Sequence, residues 1–380
     1  MNSRERVRNA LNHQEPDRIP IDLGSTWVTT VNSKVHQKLL QNFNINESDQ
    51  ILSLMTQTSI VNEEILKNFD IDFRALRVNK PKKREIVVIE EKDCYWYCDQ
   101  WQIKRKMPKK NGYYYDICEH PLKKGNIQEL KSFRWPSIND LISLEGLKEN
   151  AQQMFEQTNY ALVGDIGGAG IFENAWYLRG FENWLMDLLI NESYCRKLMD
   201  KIVEIKYDII EKFLEATGNY IEVVTLGDDF SGQDNPLISI DLFKKLIKPY
   251  YKLLINFIKN KTNAKIFFHS CGNIKPFLDD FIDLGIDIIN PVQISASQMD
   301  PYVLKKEYGN KIVFWGDGCD AQKILPFSNE EEVEKEVIRN INILSPGGGY
   351  VFGPIHVIQC DVPIRNVIKM FNTARKNGFY

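Results

Sequence analysis

From about residue 160 the chain settles into a repeating texture: short apolar runs that end on a polar residue or glycine, then longer segments with apolar positions at helical spacing. The runs are "YALVGD", "YIEVVTLGDD", "KIFFHSCG", "IDIINPVQ", "KIVFWGDG" and "GYVFGPIH". Between them lie "SYCRKLMDKIVEIKYDIIEKFLEATG", "SIDLFKKLIKPYYKLLINFIKN", "IKPFLDDFIDLG" and "NEEEVEKEVIRNINIL". Apolar strands alternating with amphipathic helices are the signature of parallel βα units, whose strands are covered on both faces. Six such runs, with room for two more strands around "RIPIDLG" and "FDIDFRAL", predict an α/β fold of the (β/α)8 TIM-barrel type. An open doubly wound sheet is the alternative, but the glycines of "VGDIGGAGIF" are too loosely spaced for a dinucleotide-binding turn.

The first third reads differently. Asn2 and Glu5 have the spacing of a capping box, with Val7, Ala10 and Leu11 as the apolar stripe of a helix that "EPDRIP" stops. Two more N-terminal helices are expected around "SKVHQKLLQNF" and "SDQILSLMTQTSIVNEEILKNF". Between Arg84 and Cys118, "EIVVIEE", "CYWYCDQWQIKRK" and "GYYYDIC" alternate at period two around a turn-like "KKNG", which predicts a small antiparallel β insertion. The expected organisation is one barrel domain over residues 1–380 carrying that insertion at about 84–118. Pro249, inside a long helical run, predicts a break in its regularity.

Composition narrows the function classes. A net charge of -3 gives no basic face for nucleic acid, and the one basic cluster, Lys80 to Arg84, reads as a solvated turn. No stretch reaches the roughly 18 apolar residues of a membrane helix, and "MNSRERVRNAL" lacks the apolar core of a signal peptide, so a cytoplasmic protein is expected. Seven scattered cysteines do not suggest a disulfide framework and leave thiols free for metal. Cys94 and Cys98 share one strand face, but a zinc ribbon would need a second pair. Trp176, Tyr177 and Trp184 recur at helical spacing and read as core packing.

In a βα barrel the chemistry sits where strands run out into the following loops. Those positions hold Asp165, Asp228, Asp229, His269, Cys271, Asn290, Gln293, Asp317, Asp320 and His356. His269 and Cys271, two apart, join with His356 or Cys360 into a nitrogen and sulfur set that zinc favours, three protein ligands leaving one position open. The competing reading makes Cys271 a small buried hydrophobe and His269 a hydrogen-bonded core histidine. Asp228 and Asp229, adjacent at a strand end, are candidates for acid and base, as is His356 for proton handling. Asp165, Asn290, Gln293 and Asp317 are candidate substrate contacts.

Several stretches resemble a known family: "RERVRNALNHQEPDRIPIDLG", "LRGFENWLMDL", "GDDFSGQDNPLISIDLFKKLIKPYYK", "HSCGNIKPFLDDFIDLGIDIINPVQ" and "GGGYVFGPIHVIQCDVPIRNVIKMF". Together they are similar to the uroporphyrinogen decarboxylase superfamily, which holds the decarboxylase and a set of cobalamin-dependent methyltransferases on (β/α)8 barrels. The resemblance covers the chain outside the insertion. The decarboxylase carries an arginine-rich "MRQAGR" after its first barrel proline, where this chain has "IPIDLGSTWVTTVNSK" without arginine. The methyltransferase branch ligates zinc through an H-x-C pair, matched by His269 and Cys271, and a later cysteine. That cysteine's place falls on His356 here, with Cys360 one helical turn beyond.

The resemblance thus implies a zinc-dependent methyltransferase working between a small methylated substrate, first a methoxy compound, and a separate corrinoid protein that carries cobalamin. A thiol or folate acceptor is compatible with it. The chain shows no cobalamin-binding module of its own. The alternatives are a metal-independent decarboxylase of a small or tetrapyrrole-like acid and a non-catalytic barrel that binds a corrinoid protein or a ligand.

Overall fold

A computed structural model describes residues 1–81 and 85–380. Residues 82–84, which hold most of the Lys80 to Arg84 cluster and the expected start of the insertion, lie outside the described residues. Seven parallel strands form one curled sheet: β1 Phe73–Arg77, β2 Ala161–Asp165, β3 Val223–Gly227, β4 Lys265–His269, β5 Ile288–Asn290, β6 Val313–Trp315 and β7 Tyr350–Val351. Neighbours in the sheet are neighbours in sequence, the order expected when helices cross over between parallel strands.

The gap between β7 and β1 is closed by residues 19–23. The Asp22 N–H donates to the Phe352 carbonyl at 2.8 Å, the Phe352 N–H to the Pro20 carbonyl at 2.9 Å, and the Asp72 N–H to the Ile21 carbonyl at 3.0 Å. The "RIPIDLG" stretch is therefore the eighth strand of the expected barrel. It is reduced to a single parallel bridge, Ile21 to Phe352, because Pro20 has no N–H to extend the ladder.

Alternation along the strands sorts the residues. Phe73, Val163, Val223, Phe267, Ile288, Val313, Trp315 and Val351 point inward and pack on Val7 and Leu11 of the helix Ser3–Leu11, which plugs the N-terminal end. That helix carries the expected capping box, Asn2 with Glu5. Leu76, Leu162, Val224, Ile266, Phe268, Ile289 and Phe314 point outward under the surrounding helices. The inward register continues upward into Arg77, Asp165, Thr225, His269 and Asn290, so the apolar barrel turns polar only at the C-terminal mouth.

Closure depends on one carboxylate. Asp72, fully buried, accepts from Arg6 Nη1 at 2.6 Å, Arg18 Nη1 at 2.7 Å and the Ile21 N–H at 2.9 Å. Helix, closing strand and β1 meet at this point.

Three sequence expectations meet the structure here. The "SDQILSLMTQTSIVNEEILKNF" helix shrinks to Glu63–Asn68, because Thr58–Ser59 pairs with Val31–Asn32 and with Ile51–Ser53 in a small antiparallel sheet. Gln57 turns at φ 53, outside helical space, and the Asn62 side chain caps the helix only from Glu64 onward. The insertion forms a four-stranded antiparallel sheet, Ile89–Glu90, Cys94–Cys98, Lys104–Pro108 and Asp116–Glu119. Pro249 follows a π-helical turn at Phe243–Ile247 and sits in the first turn of the helix Lys248–Lys261, where its missing N–H costs little. Among the described residues no helix is long and apolar enough to cross a membrane.

Two predictions follow from these contacts. Asp72→Ala leaves Arg6 and Arg18 without their shared buried acceptor and should lower unfolding stability by about 3–5 kcal/mol in urea titration. His36 is buried, its Nε2 accepting from the Asn62 N–H at 3.0 Å and its Nδ1 2.8 Å from Asp49, and burial lowers its pKa. Its contribution is then present above the unfolded value of about 6.5 and is lost as pH falls, so stability should drop between pH 7 and 5, less steeply in His36→Leu.

Candidate metal centre

His269 is the last residue of β4 and faces the barrel axis; Cys271 lies two residues on, and His356 in the loop after β7. The chain turns sharply just after Cys271 at Gly272, at φ 84, where a Cβ would meet the Gly232 carbonyl oxygen at 2.2 Å. Two side-chain oxygens, one carboxylate and one amide, hold that turn: the Cys271 N–H donates to Asp229 Oδ1 and the Gly272 N–H to Gln293 Oε1, both at 2.7 Å. As a result Cys271 Sγ doubles back to 3.2 Å from His269 Nε2, and the His269 and His356 rings stand 5.4 Å apart.

One ligand atom from each of His269, Cys271 and His356 lies within 4.8 Å of the others, and among the described residues this is the one such group of three. Tetrahedral zinc with bonds of about 2.0–2.1 Å to nitrogen and about 2.3 Å to sulfur sets its ligand atoms roughly 3.5 Å apart. Two imidazoles and a thiol are donor types that such an ion takes. Cys360 is outside the group and half-buried.

Burial dominates the electrostatics of the site. Burial lowers both His269 and His356 to about 4, so each imidazole is neutral at pH 7 and keeps a lone pair to give. Burial, with Asp229 and Glu173 adding to it, pushes the Cys271 thiol well up. Burial also raises Asp229, and burial with Asp229 and Asp228 raises Glu173 well above the usual carboxylate range. A cation among these groups would relieve all of them at once.

No curated protein matches the sequence. A family model, uroporphyrinogen decarboxylase (URO-D), matches residues 120–377, which includes every residue of the metal centre. The chain belongs to the uroporphyrinogen decarboxylase family. Among solved structures, a methyltransferase from Methanosarcina mazei superposes with a TM-score of 0.66 at 15% identity, covering 99% of both chains, a likeness of fold. A GH113 beta-1,4-mannanase covers 94% of this chain and 99% of its own, at 9% identity and a TM-score of 0.37, too low to carry weight.

In this member of the uroporphyrinogen decarboxylase family, several expected site residues take other places. Asp228 does not face the mouth: its oxygens accept from the Phe172 N–H at 2.6 Å, the Glu173 N–H at 2.8 Å and the Tyr251 hydroxyl at 2.7 Å, anchoring the helix Ile171–Arg179. Asp317 lies behind the sheet, fully buried and bonded to the Tyr350 hydroxyl, because after Trp315 the chain turns it outward. Asn290 is fully buried and bonds His269, so its amide is not laid out for substrate, and Gln293 Oε1 holds the Cys271 turn. Asp165 is inward and paired with Arg77 at 2.7 Å. Asp320 caps its own loop, accepting from the Gln322 and Lys323 N–H groups.

Other residues enter that sequence reasoning passed over. Glu173 and Tyr177, one helical turn apart on Ile171–Arg179, bond each other at 3.0 Å beside Asp229. Trp184 is fully buried in the core as its spacing predicts, and Trp176 and Tyr177 pack against that core half-buried. Trp27 meets the His269 ring edge-on at 6.0 Å, and Tyr114 brings the insertion beside Gln359, within electrostatic range of Cys360 and Cys271. The i, i+4 spacing of Glu173 and Tyr177 was the one available signal.

Asp228 is tested by truncation. Asp228→Ala strands three buried donors and should cost about 3 kcal/mol or more, whereas Asp228→Asn retains an acceptor and should cost less; thermal unfolding of the two variants ranks them.

Proposed function

We propose that this protein is a zinc-dependent methyltransferase that moves a methyl group between a small methylated compound, first a methoxy compound, and a corrinoid carried by a separate protein. The observation that carries the reading is the convergence of His269, Cys271 and His356 at the barrel mouth. The likeness of fold to a methyltransferase supports it.

The mouth also speaks against a polycarboxylate substrate. The segment "IPIDLGSTWVTTVNSK" is folded in on itself, Thr26 and Thr29 bonding each other at 2.9 Å, and supplies no arginine. Arg77 is taken up by Asp165 and by the Gly24 carbonyl. What faces the metal ligands is acidic instead, Asp229 and Glu173.

His269, Cys271 and His356 would hold the zinc, with Cys360 outside their set. Bound there, zinc supplies a Lewis acid for the heteroatom that bears the methyl group. The chain's own groups do the rest. Asp229 fixes the Cys271 backbone. The departing heteroatom keeps the bonding pair and takes up a proton. Burial raises both Asp229 and Glu173, and Asp229 adds to the rise at Glu173, so Glu173 is the group that would carry and pass on that proton. Trp27 and Tyr114 give the mouth aromatic walls suited to a flat methoxylated ring.

The test is methyl transfer from a methoxylated aromatic to cob(I)alamin, which stands in for the partner's corrinoid. Cys271→Ala should lose about 100-fold or more while Cys360→Ala stays near wild type. A fully active Cys271→Ala protein, or metal-independent release of carbon dioxide from a small acid, would overturn the reading.

A further inference from the structure

The tautomer of His269 is set from behind the metal centre. Asn290 ends β5 directly beside His269 in the sheet register and is fully buried, so no substrate atom can reach its amide. Its Nδ2 lies 2.9 Å from the Trp315 carbonyl, and its Oδ1 lies 2.6 Å from His269 Nδ1. A main-chain carbonyl can only accept, so the amide group facing it must be the NH2, and the oxygen must face the imidazole. An amide oxygen can only accept in turn, so His269 Nδ1 must carry the hydrogen. In the neutral ring Nε2 then keeps its lone pair, and it is Nε2 that lies 3.2 Å from Cys271 Sγ.

The approach of the amide is itself built in. Gly316 follows Trp315 at φ 83, and a Cβ there would lie 2.6 Å from Asn290 Nδ2. The Asn290 carbonyl is also occupied, accepting from the Ser270 N–H at 2.8 Å, so the residue is held at both its main chain and its amide. Neighbouring strands β4, β5 and β6 thus supply imidazole, amide and carbonyl in sequence, and the imidazole is the one titratable member of the three.

We infer that Asn290 is a positioning residue which, through the Trp315 carbonyl, locks His269 as its Nδ1–H tautomer and aims the Nε2 lone pair at the Cys271 and His356 ligand set. The role differs from substrate binding, and it makes the metal ligand ready before any ion arrives. Its consequence for zinc rests on the proposed function; the tautomer itself does not.

The experiment is nitrogen-15 NMR of the metal-free full-length protein labelled in its histidine rings, with His269 signals identified by their loss in His269→Gln. In the wild type, His269 Nδ1 should read as protonated and Nε2 as unprotonated. Asn290→Asp keeps an acceptor toward Nδ1 and should hold the same tautomer. Asn290→Leu removes it and should give a mixture, with zinc affinity, measured by chelator competition, lower by about 10–100-fold. If Asn290→Leu does not fold, the wild-type and Asn290→Asp spectra still decide. A hydrogen on Nε2 in the wild type, or an unchanged tautomer and zinc affinity in Asn290→Leu, would overturn the inference. A wild type with the expected tautomer that binds no zinc would overturn the metal reading and leave the tautomer assignment standing.

Discussion

The buried carboxylate of Asp72 is the contact on which the barrel depends. A strand led by Pro20 cannot build a full ladder, so residues 19–23 would hold their place between β7 and β1 poorly by backbone bonds alone. Asp72 takes hydrogen bonds from Arg6, Arg18 and the Ile21 main chain, tying the plugging helix, the closing strand and β1 into one unit. Closure then fixes the spacing of β4, β5 and β6 at the far end, where the polar residues lie. The mouth is a consequence of a clasp at the bottom.

What the closed barrel delivers at its mouth is a change from apolar to polar within one or two residues of each strand. Phe267 packs inside the barrel, and His269, next on the same face, is a metal ligand candidate. Burial keeps the imidazoles neutral, and burial, with Asp229 and Asp228 adding to it at Glu173, leaves the carboxylates reluctant to ionise. The same burial that makes the site costly without a cation makes it receptive to one.

Periodicity carried much of the architecture, since strands with both faces covered read as plain apolar runs and their helices as amphipathic ones. It failed at residues 49–62, where local helical spacing lost to pairing with Val31–Asn32, a contact no local window contains. At the site, His269 and Cys271 were legible because they are two residues apart at a strand end, and His356 because it closes the apolar run "GYVFGPIH". The choice between His356 and Cys360 was not, since it depends on how the loop after β7 returns across the mouth. Asp228 and Asp317 misled for a related reason. A polar residue at a strand end can face the axis or the helices, and one added residue after the strand reverses the choice. Glu173 and Tyr177 come from a helix, outside the strand-end rule altogether.

The central claim is that His269, Cys271 and His356 hold a zinc ion, and metal content measures it most directly. Inductively coupled plasma mass spectrometry on the purified protein, with Cys271→Ala, His356→Ala and Cys360→Ala beside it, should find about one zinc per chain in the wild type and Cys360→Ala and a loss in the other two. Absence of zinc from the wild type even after zinc is supplied, or its retention in Cys271→Ala and His356→Ala, would contradict the account.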